Sequence, residues 1–376
     1  MSVAAKAVVA EARAARRSRL LDRFGDSGLV VAVVLAGALL PVVAINRLIS
    51  TDGWLALVSG RLIVDHGLPS TNTLTVLGAG RPWVDQQWLA QVALYGLERL
   101  GGLRLVLFGH VALTFAALAI AAGVARRRGA RPEALALVTF VAMLPFLLAT
   151  FGVRTQTLVY APFAVLLGLV TSRAQLTWPR TLGLVGILAV WANLHGSVLV
   201  ATALVSLRGL LELSSSAGRR DPRAWALIVA PWPALFATPY ARDVPHYYVD
   251  TVLNPGFGHL AQWQPTTLSA LSAPLFALAF GFVWLLARRP GAYSTYERLA
   301  GGALLALALL AVRNWVWFTL FAVMVLPRGI ARVPGLRSSA GTRRVNAAAG
   351  LIAAALLTFA VAATATRPAS WYEAQF

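Results

Sequence analysis

Two aspartates beside long apolar segments are the residues whose positions first suggest chemistry. Asp52 follows an apolar segment, and Asp85 precedes a helix-forming run that begins at Trp88. A carboxylate partly desolvated at a membrane boundary becomes more basic and can accept a proton from a hydroxyl group. Alternatively, Asp52 is a solvated residue that fixes topology, and Asp85 favours a helix start through the helix dipole. Both are candidate catalytic residues.

Four basic residues could receive negative charge from a phosphate: Arg154, Arg313, Arg242 and His195. Arg154 and Arg313 interrupt the ends of apolar segments, where a guanidinium can form paired hydrogen bonds to a phosphate. Interfacial snorkelling or an internal salt bridge to an aspartate would explain both arginines equally well. His195 could bind a phosphate or a hydroxyl group, or be a satisfied core histidine.

Aromatic and amide side chains near the same boundaries could bind a sugar or another polar acceptor. An aromatic face stacks on C–H patches, while polar neighbours satisfy hydroxyl groups. Aromatic residues also anchor helices at the headgroup layer of a membrane, and that alternative stays open. The candidates are Trp54, Trp83, Trp88, Asn193, Tyr240, His246, Trp263 and Gln264.

The composition excludes a water-soluble globular protein. The chain has 376 residues, of which 58% are hydrophobic and only 12% are charged, and its mean hydropathy is +0.70. Soluble domains carry about a quarter charged residues. Long apolar runs of the length that crosses a bilayer recur along the chain. The sequence therefore predicts an all-α, polytopic transmembrane helix bundle that forms a single domain over residues 1–376.

About eleven spans are expected. We place them near residues 28–47, 103–124, 133–150, 157–172, 181–194, 197–213, 224–238, 271–287, 299–312, 315–327 and 346–363.

The basic residues indicate the orientation of these spans. If the amino terminus is cytoplasmic, 24 of the 33 basic residues lie in cytoplasmic segments and nine lie outside, while the 14 acidic residues divide evenly. This bias satisfies the positive-inside rule. It explains the formal charge of +19 without a nucleic-acid partner. We expect a multi-pass protein of the inner (plasma) membrane, with residues 1–27 as a basic cytoplasmic segment rather than a cleavable signal peptide.

Two long loops are expected on the extracytoplasmic side, at residues 50–102 and 239–270. In the first loop, apolar residues recur at helical spacing over residues 54–65 and again over 84–100. These segments predict amphipathic helices at the membrane surface, the second of which ends at Gly101 and Gly102. Long structured loops in a compact bundle usually carry function.

The sequence offers little support for cofactor chemistry. Cysteine is absent, which excludes disulfides and thiolate sites. His66 and His259 lack a spacing that would indicate a metal site. The chain contains no Walker loop, dinucleotide fingerprint or nucleophile elbow. We therefore expect no cofactor; a divalent metal is conceivable in principle but not indicated by these residues.

Fragments of the chain resemble bacterial membrane proteins of the GT-C glycosyltransferase superfamily, in the right order over most of the chain's length. The fragments are Asp52, Gly60-Arg61, Ile63, Gly67, Pro69, Thr75, Gly80, Pro82-Trp83, Trp88-Leu89, Tyr95, Gly101-Gly102, residues 191–196, residues 238–240, residues 262–265, residues 312–314 and Pro327.

The resemblance implies an extracytoplasmic active site that transfers a sugar from a polyprenyl-phosphate carrier to a cell-envelope glycan or glycolipid. Asp52 matches the position of the catalytic base in such enzymes. This chain departs from the family at Asn72, Gln87 and Gln262, where members often carry acidic residues. The implied partners are a lipid-linked sugar donor, an envelope acceptor and membrane lipids, and the three departures weaken any expectation of metal binding.

Two other functions remain open at this point. A transporter or flippase for an amphiphilic glycolipid would use the same basic residues, but it would also need a route to the inner face. No convincing internal repeat of the kind common in transporters is visible in the sequence. A non-catalytic scaffold of an envelope-synthesis complex is the third alternative.

Overall fold

The computed structural model describes residues 49, 51–76, 78–172, 174, 176–252, 259–330 and 340–373. The basic segment 1–27 and the first expected span, at residues 28–47, lie outside the described residues. Over the described residues the secondary structure is helical, apart from an isolated antiparallel β-bridge between Thr71 and Pro82. An all-helical architecture is therefore confirmed for this part of the chain.

The described helices run in chain order from the first loop to the carboxyl-terminal segment. They are α1 (Thr51–His66), α2 (Trp88–Arg127), α3 (Pro132–Thr150), α4 (Thr157–Val170), α5 (Trp178–Trp191), α6 (Val198–Glu212), α7 (Ser216–Arg219), α8 (Pro222–Val229), α9 (Pro231–Ala234), α10 (Val244–Val252), α11 (Ala273–Arg288), α12 (Thr295–Leu310), α13 (Trp315–Val325), α14 (Ala340–Thr366) and α15 (Ala369–Glu373). Short 3-10 turns cover Ala241–Asp243, Ala261–Trp263, Pro290–Ala292, Val312–Asn314 and Leu326–Gly329.

Each of the ten expected spans within the described residues coincides with at least one helix. Among the described residues, three helical segments are long and apolar enough to cross a membrane: α2, α3 and residues Asn346–Thr366 of α14. Helices α4 and α11 are apolar but shorter. A polytopic helical membrane protein fits these lengths, whereas the count of eleven spans stays a prediction.

The two helices expected in the first loop are present. Helix α1 covers the first of them, and α2 begins at Trp88 and continues past the expected end. Gly101 and Gly102 have non-helical backbone angles inside α2, so the helix bends where the sequence predicted a break. Gly102 has φ +65°, a conformation that glycine adopts without steric cost.

Helix α1 packs closely on the first part of α2. A Cβ atom at Gly60 would lie 2.2 Å from the carbonyl oxygen of Gln91, so only glycine allows this approach. The buried face of α1 also contains Leu57 and Ile63, whereas Leu55 and Val58 are about half exposed. This contact fixes the position of Gln91 relative to the first loop.

Helix α13 lies at the centre of the bundle, where all of its residues are buried. It packs against α2, α3, α4, α11 and α12. The Trp317 ring contacts the rings of Tyr160, Phe163 and Trp191, with centroid separations between 4.8 and 6.1 Å. This aromatic cluster joins α4, α5 and α13.

Candidate functional site

Asp52 and Arg154 form an ion pair between α1 and the connection from α3 to α4. The Arg154 Nη2 atom lies 3.9 Å from the Asp52 Oδ2 atom, and the carboxylate side chain is 53% exposed. An exposed pair at this distance contributes little to stability. The Arg154 Nε atom is buried, and no hydrogen-bond acceptor for it occurs among the described residues. Arg154 therefore retains donor capacity beyond the pair.

Arg313 lies in the 3-10 turn between α12 and α13, where its guanidinium stacks on an indole. The guanidinium carbon is 4.2 Å from the centre of the Trp263 ring, which is a cation–π geometry. Within the described chain, no carboxylate lies within 4.0 Å of this guanidinium. Burial lowers the pKa of Arg313 below its usual value, and the positive charge of Arg154 acts in the same direction.

Hydrogen bonds connect the segment that carries Trp263 to the end of α12 and the start of α13. Thr266 receives a hydrogen bond from the Trp315 indole over 2.8 Å and donates one to the Ala308 carbonyl over 2.6 Å. The backbone N–H of Val312 donates to the Gln264 carbonyl. These bonds hold Trp263 and Gln264 beside Arg313.

His195 lies in the connection between α5 and α6 and is 7% exposed. Its Nδ1 atom accepts a hydrogen bond of 3.0 Å from the backbone N–H of Ser197. Because a backbone N–H can only donate, the neutral ring must carry its hydrogen on Nε2. Burial, together with the charges of Arg313 and Arg154, lowers the pKa of His195 to about 3. His195 is therefore a neutral hydrogen-bond donor.

Asn193 joins the first loop to the α5–α6 connection. Its Oδ1 atom accepts a 2.8 Å hydrogen bond from the Trp88 indole, and its Nδ2 atom donates to the Ala237 carbonyl over 2.7 Å. The Leu89 backbone N–H also donates to the Asn193 carbonyl. Asn193 and Trp88 thus have a structural role that positions the start of α2.

Asp85 is 4% exposed and lies immediately before α2. Its Oδ1 atom accepts a 2.9 Å hydrogen bond from Gln91 Nε2. Burial raises the pKa of Asp85 to about 6, although hydrogen bonds from the Gln87 backbone and the Gln91 side chain act in the opposite direction. In the part of the chain that the structure describes, no basic group lies within 4.0 Å of this carboxylate.

Tyrosines of the second loop form hydrogen bonds to the first loop and to the α5–α6 connection. The Tyr240 hydroxyl donates to the Pro69 carbonyl over 2.8 Å, and the Tyr248 hydroxyl donates to the Gly196 carbonyl over 3.1 Å. Burial and the charge of Asp85 raise the pKa of Tyr240 to about 12. Burial also raises the pKa of Tyr247, which lies within electrostatic range of Arg313 and Asp85. The second loop therefore meets the first loop and the α5–α6 connection.

Several candidate residues are exposed or only half-buried. Trp83 is 41% exposed, and Arg242 is exposed as well. His246 is exposed and forms a 3.0 Å contact with Asp250. Trp54 is half-buried on α1. We define the polar cluster as the five residues linked by the contacts and electrostatic effects above: Asp52, Asp85, Arg154, His195 and Arg313.

Two glutamines were not among the candidate site residues. Gln86 is 3% exposed and donates to the Ala192 carbonyl over 2.8 Å, and Gln91 is the partner of Asp85. The sequence contained a signal for them, since Gln86 directly follows Asp85 and Gln91 lies four residues after Gln87, in the first turn of α2. Such a polar stripe indicates a buried hydrogen-bond network.

The described residues contain no group of three or more histidine, cysteine, aspartate or glutamate side chains arranged to hold a metal ion. The polar cluster combines two arginines, a neutral histidine and two aspartates. These groups can bind an ion or a polar solute through charge and hydrogen bonds. Such binding needs no metal and no covalent step.

Comparison with known proteins points to membrane transport. The chain is 31% identical over 214 residues to the achromobactin transport system permease protein CbrC of Dickeya dadantii (strain 3937). The match covers 50% of this chain and 59% of the relative, so the chain spans about three fifths of that protein's length. No protein-family model matches the chain, and no solved structure matches it significantly.

The similarity to a permease contradicts the expectation of a glycosyltransferase, which was wrong. The same similarity favours the transporter alternative. The physical reason for the error is that arginines, aromatic rings and a membrane-boundary carboxylate bind anionic or polar groups in both classes of protein. Those residue types therefore do not distinguish transfer of a group from transport of a whole solute.

Proposed function

We propose that the chain is a permease component of a cell-membrane transport system. The observation that carries this proposal is the similarity to a transport system permease over half of the chain. Apolar helices long enough to cross a membrane support it. Its membrane topology follows from charge: the amino terminus and the arginine-rich connections are cytoplasmic, and the polar cluster lies near the extracytoplasmic face.

The solute is an anion, because the charges of Arg154 and Arg313 both act on His195, and only Arg154 has a carboxylate within 4.0 Å among the described residues. Arg313 has an aromatic partner, Trp263, rather than a carboxylate within 4.0 Å in the described structure. The pair of Arg154 with the half-exposed Asp52 is 3.9 Å long. Cations desolvated in this way attract carboxylate or phosphate oxygens through charge-assisted hydrogen bonds.

His195 adds a neutral donor to this anion site. Its Nδ1 atom is occupied by the Ser197 N–H, which leaves the Nε2 hydrogen to bind a solute oxygen. The lowered pKa of about 3 means that His195 keeps this role throughout the physiological pH range. The aromatic face of Trp263 stacks on the Arg313 guanidinium and limits its movement.

An uptake experiment tests the proposal. Cells that lack the chain are compared with cells that carry the wild type, Arg313→Ala or Arg61→Ala, with labelled achromobactin and a panel of carboxylate- and phosphate-bearing solutes. Arg61 is a matched control because it is a highly exposed arginine that pairs only loosely with Asp65, at 3.4 Å.

We expect uptake of at least one anion to require the chain. Arg313→Ala should lower that uptake by about tenfold or more, as expected for loss of a charge-assisted contact, and Arg61→Ala should leave it unchanged. Equal uptake of every anion with and without the chain would contradict the proposed function.

A further inference from the structure

Gln91 has one satisfied and one unsatisfied amide atom. Its Nε2 atom donates to Asp85 Oδ1 over 2.9 Å. Its Oε1 atom is buried and has no hydrogen-bond donor among the described residues. Both side chains are well buried, with exposures of 4% for Asp85 and 8% for Gln91. An amide oxygen that is buried without a donor costs free energy, so a missing hydrogen is indicated at this position.

We propose that Asp85 and Gln91 form a proton-binding site, which takes up one proton as the pH falls.

The proton supplies the donor that Gln91 lacks. A proton from water adds to Asp85 Oδ2, the carboxylate oxygen that does not accept the Gln91 hydrogen bond, and the resulting O–H group donates to Gln91 Oε1. Together with the existing bond from Gln91 Nε2, this gives a cyclic acid–amide pair in which each side chain donates once and accepts once. Release of the proton restores a buried carboxylate and leaves the amide oxygen unpaired. No covalent bond other than O–H forms or breaks.

The backbone holds this pair in place from both sides. Asp85 is fixed before α2 by the hydrogen bond from the Gln87 backbone to its carboxylate. Gln91 is fixed by the close approach of α1, where Gly60 leaves no room for a side chain. Its neighbour Gln87 is bound in turn by the hydroxyl of Thr155. The two side chains therefore remain opposed in either protonation state.

The charged and titratable surroundings leave Asp85 without a counter-ion. Tyr240 and Tyr247 from the second loop are the titratable groups on which its charge acts. His195, from the α5–α6 connection, is neutral, and Arg154 is directed to Asp52 instead. Burial raises the pKa of Asp85 to about 6, which places proton uptake in the range of an acidic exterior.

Infrared difference spectroscopy on the purified full chain in lipid nanodiscs tests the site with the proton as its probe. Between pH 8 and pH 4.5, the wild type should gain a carbonyl-stretch band of a protonated carboxyl group with a midpoint about two pH units above that of an ordinary aspartate. Asp85→Asn should lose this band. Asp65→Asn, at an exposed aspartate of α1, should retain it.

Two further variants keep the test decisive. Gln91→Leu retains the carboxyl group but removes both amide bonds, so the band should move to higher frequency and its midpoint should shift. Asp85→Glu carries a titratable carboxyl group if the asparagine variant fails to fold, and its band should differ from that of the wild type. A wild-type band that is missing, that persists in Asp85→Asn, or that is unchanged in Gln91→Leu would overturn the proposed site.

Discussion

The indole of Trp88 donates a 2.8 Å hydrogen bond to the side-chain oxygen of Asn193, a residue 105 positions further along the chain. This bond ties the start of α2 to the connection between α5 and α6. The same connection carries His195 and accepts the Gln86 side chain at the Ala192 carbonyl. One asparagine thus sets how the first loop sits on the α5–α6 connection, which carries His195 of the polar cluster.

Trp88→Phe should destabilise the protein although it retains most of the aromatic surface. The change removes the indole donor and leaves Asn193 Oδ1 largely buried without it, at a cost of about 1–3 kcal/mol. A lower melting temperature in detergent measures this loss. Trp83→Phe is the matched control, because Trp83 is 41% exposed and its backbone hydrogen bond survives the change. Equal melting of the two variants would contradict the role of the Trp88 bond.

Glu297→Gln should be among the most destabilising substitutions outside the polar cluster. Glu297 is 1% exposed, lies 3.4 Å from Arg128 at the end of α2, and also binds Arg328 after α13. Removing its charge leaves two largely buried guanidinium groups without their carboxylate, and breaking a buried pair in this way costs roughly 3–5 kcal/mol.

Glu212→Gln provides the comparison for this network. Glu212 pairs with Arg208 within α6 but is 30% exposed, so water compensates much of its loss. We expect a clear drop of the melting temperature for Glu297→Gln and a small one for Glu212→Gln. A small drop in both would show that the Arg128 and Arg328 contacts contribute little.

Stability should depend on pH through Asp85. The pKa of Asp85 is raised to about 6 in the folded protein, so between pH 4 and pH 6 the folded state binds more protons than the unfolded state. The contribution of Asp85 to the free energy of unfolding is therefore present at low pH and is lost as the pH rises through 6. With about two pKa units at about 1.4 kcal/mol each, the loss is on the order of 3 kcal/mol.

Asp85→Asn lacks this titration. As the pH rises from 5 to 7, the melting temperature of the wild type should therefore fall relative to that of Asp85→Asn. Asp65→Asn is exposed on α1 and serves as the control. Parallel pH profiles for the wild type and Asp85→Asn would contradict the assignment of a titrating group to Asp85.

The orientation of the chain can be tested with single cysteines, because the sequence contains none. Cysteines at the exposed positions Ser70 and Ser216 are treated with a membrane-impermeant maleimide in intact cells. We expect labelling at Ser70, in the first loop, and none at Ser216, beside the basic residues Arg219 and Arg220. Labelling at Ser216 but not at Ser70 would show that the predicted orientation is wrong.

Local features of the fold were predictable because they depend on residues close together in the chain. Apolar periodicity located α1, and the Gly101-Gly102 pair located the bend in α2. The buried network of Glu297 with Arg128 and Arg328 was not predictable, because its members come from three distant segments. Each of those arginines was explained by membrane topology alone.

The site was predictable in its residue types but not in its pairings. Asp52, Arg154, Arg313 and His195 were identified from their positions at the ends of apolar segments. Only the structure shows that Asp52 is half exposed, whereas Asp85 is buried beside Gln91. The function expected from these residues was wrong because sugar transfer and anion transport both require cations and aromatic rings at a membrane boundary.

Equilibrium exchange in proteoliposomes tests transport most directly, because exchange of labelled for unlabelled solute requires no energy source. Purified chain is reconstituted, and exchange of the anion identified by the uptake experiment is followed over time. We expect saturable exchange faster than in protein-free liposomes, at least tenfold slower with Arg313→Ala, and unaffected by Arg61→Ala. Exchange no faster than in protein-free liposomes would contradict a role in transport.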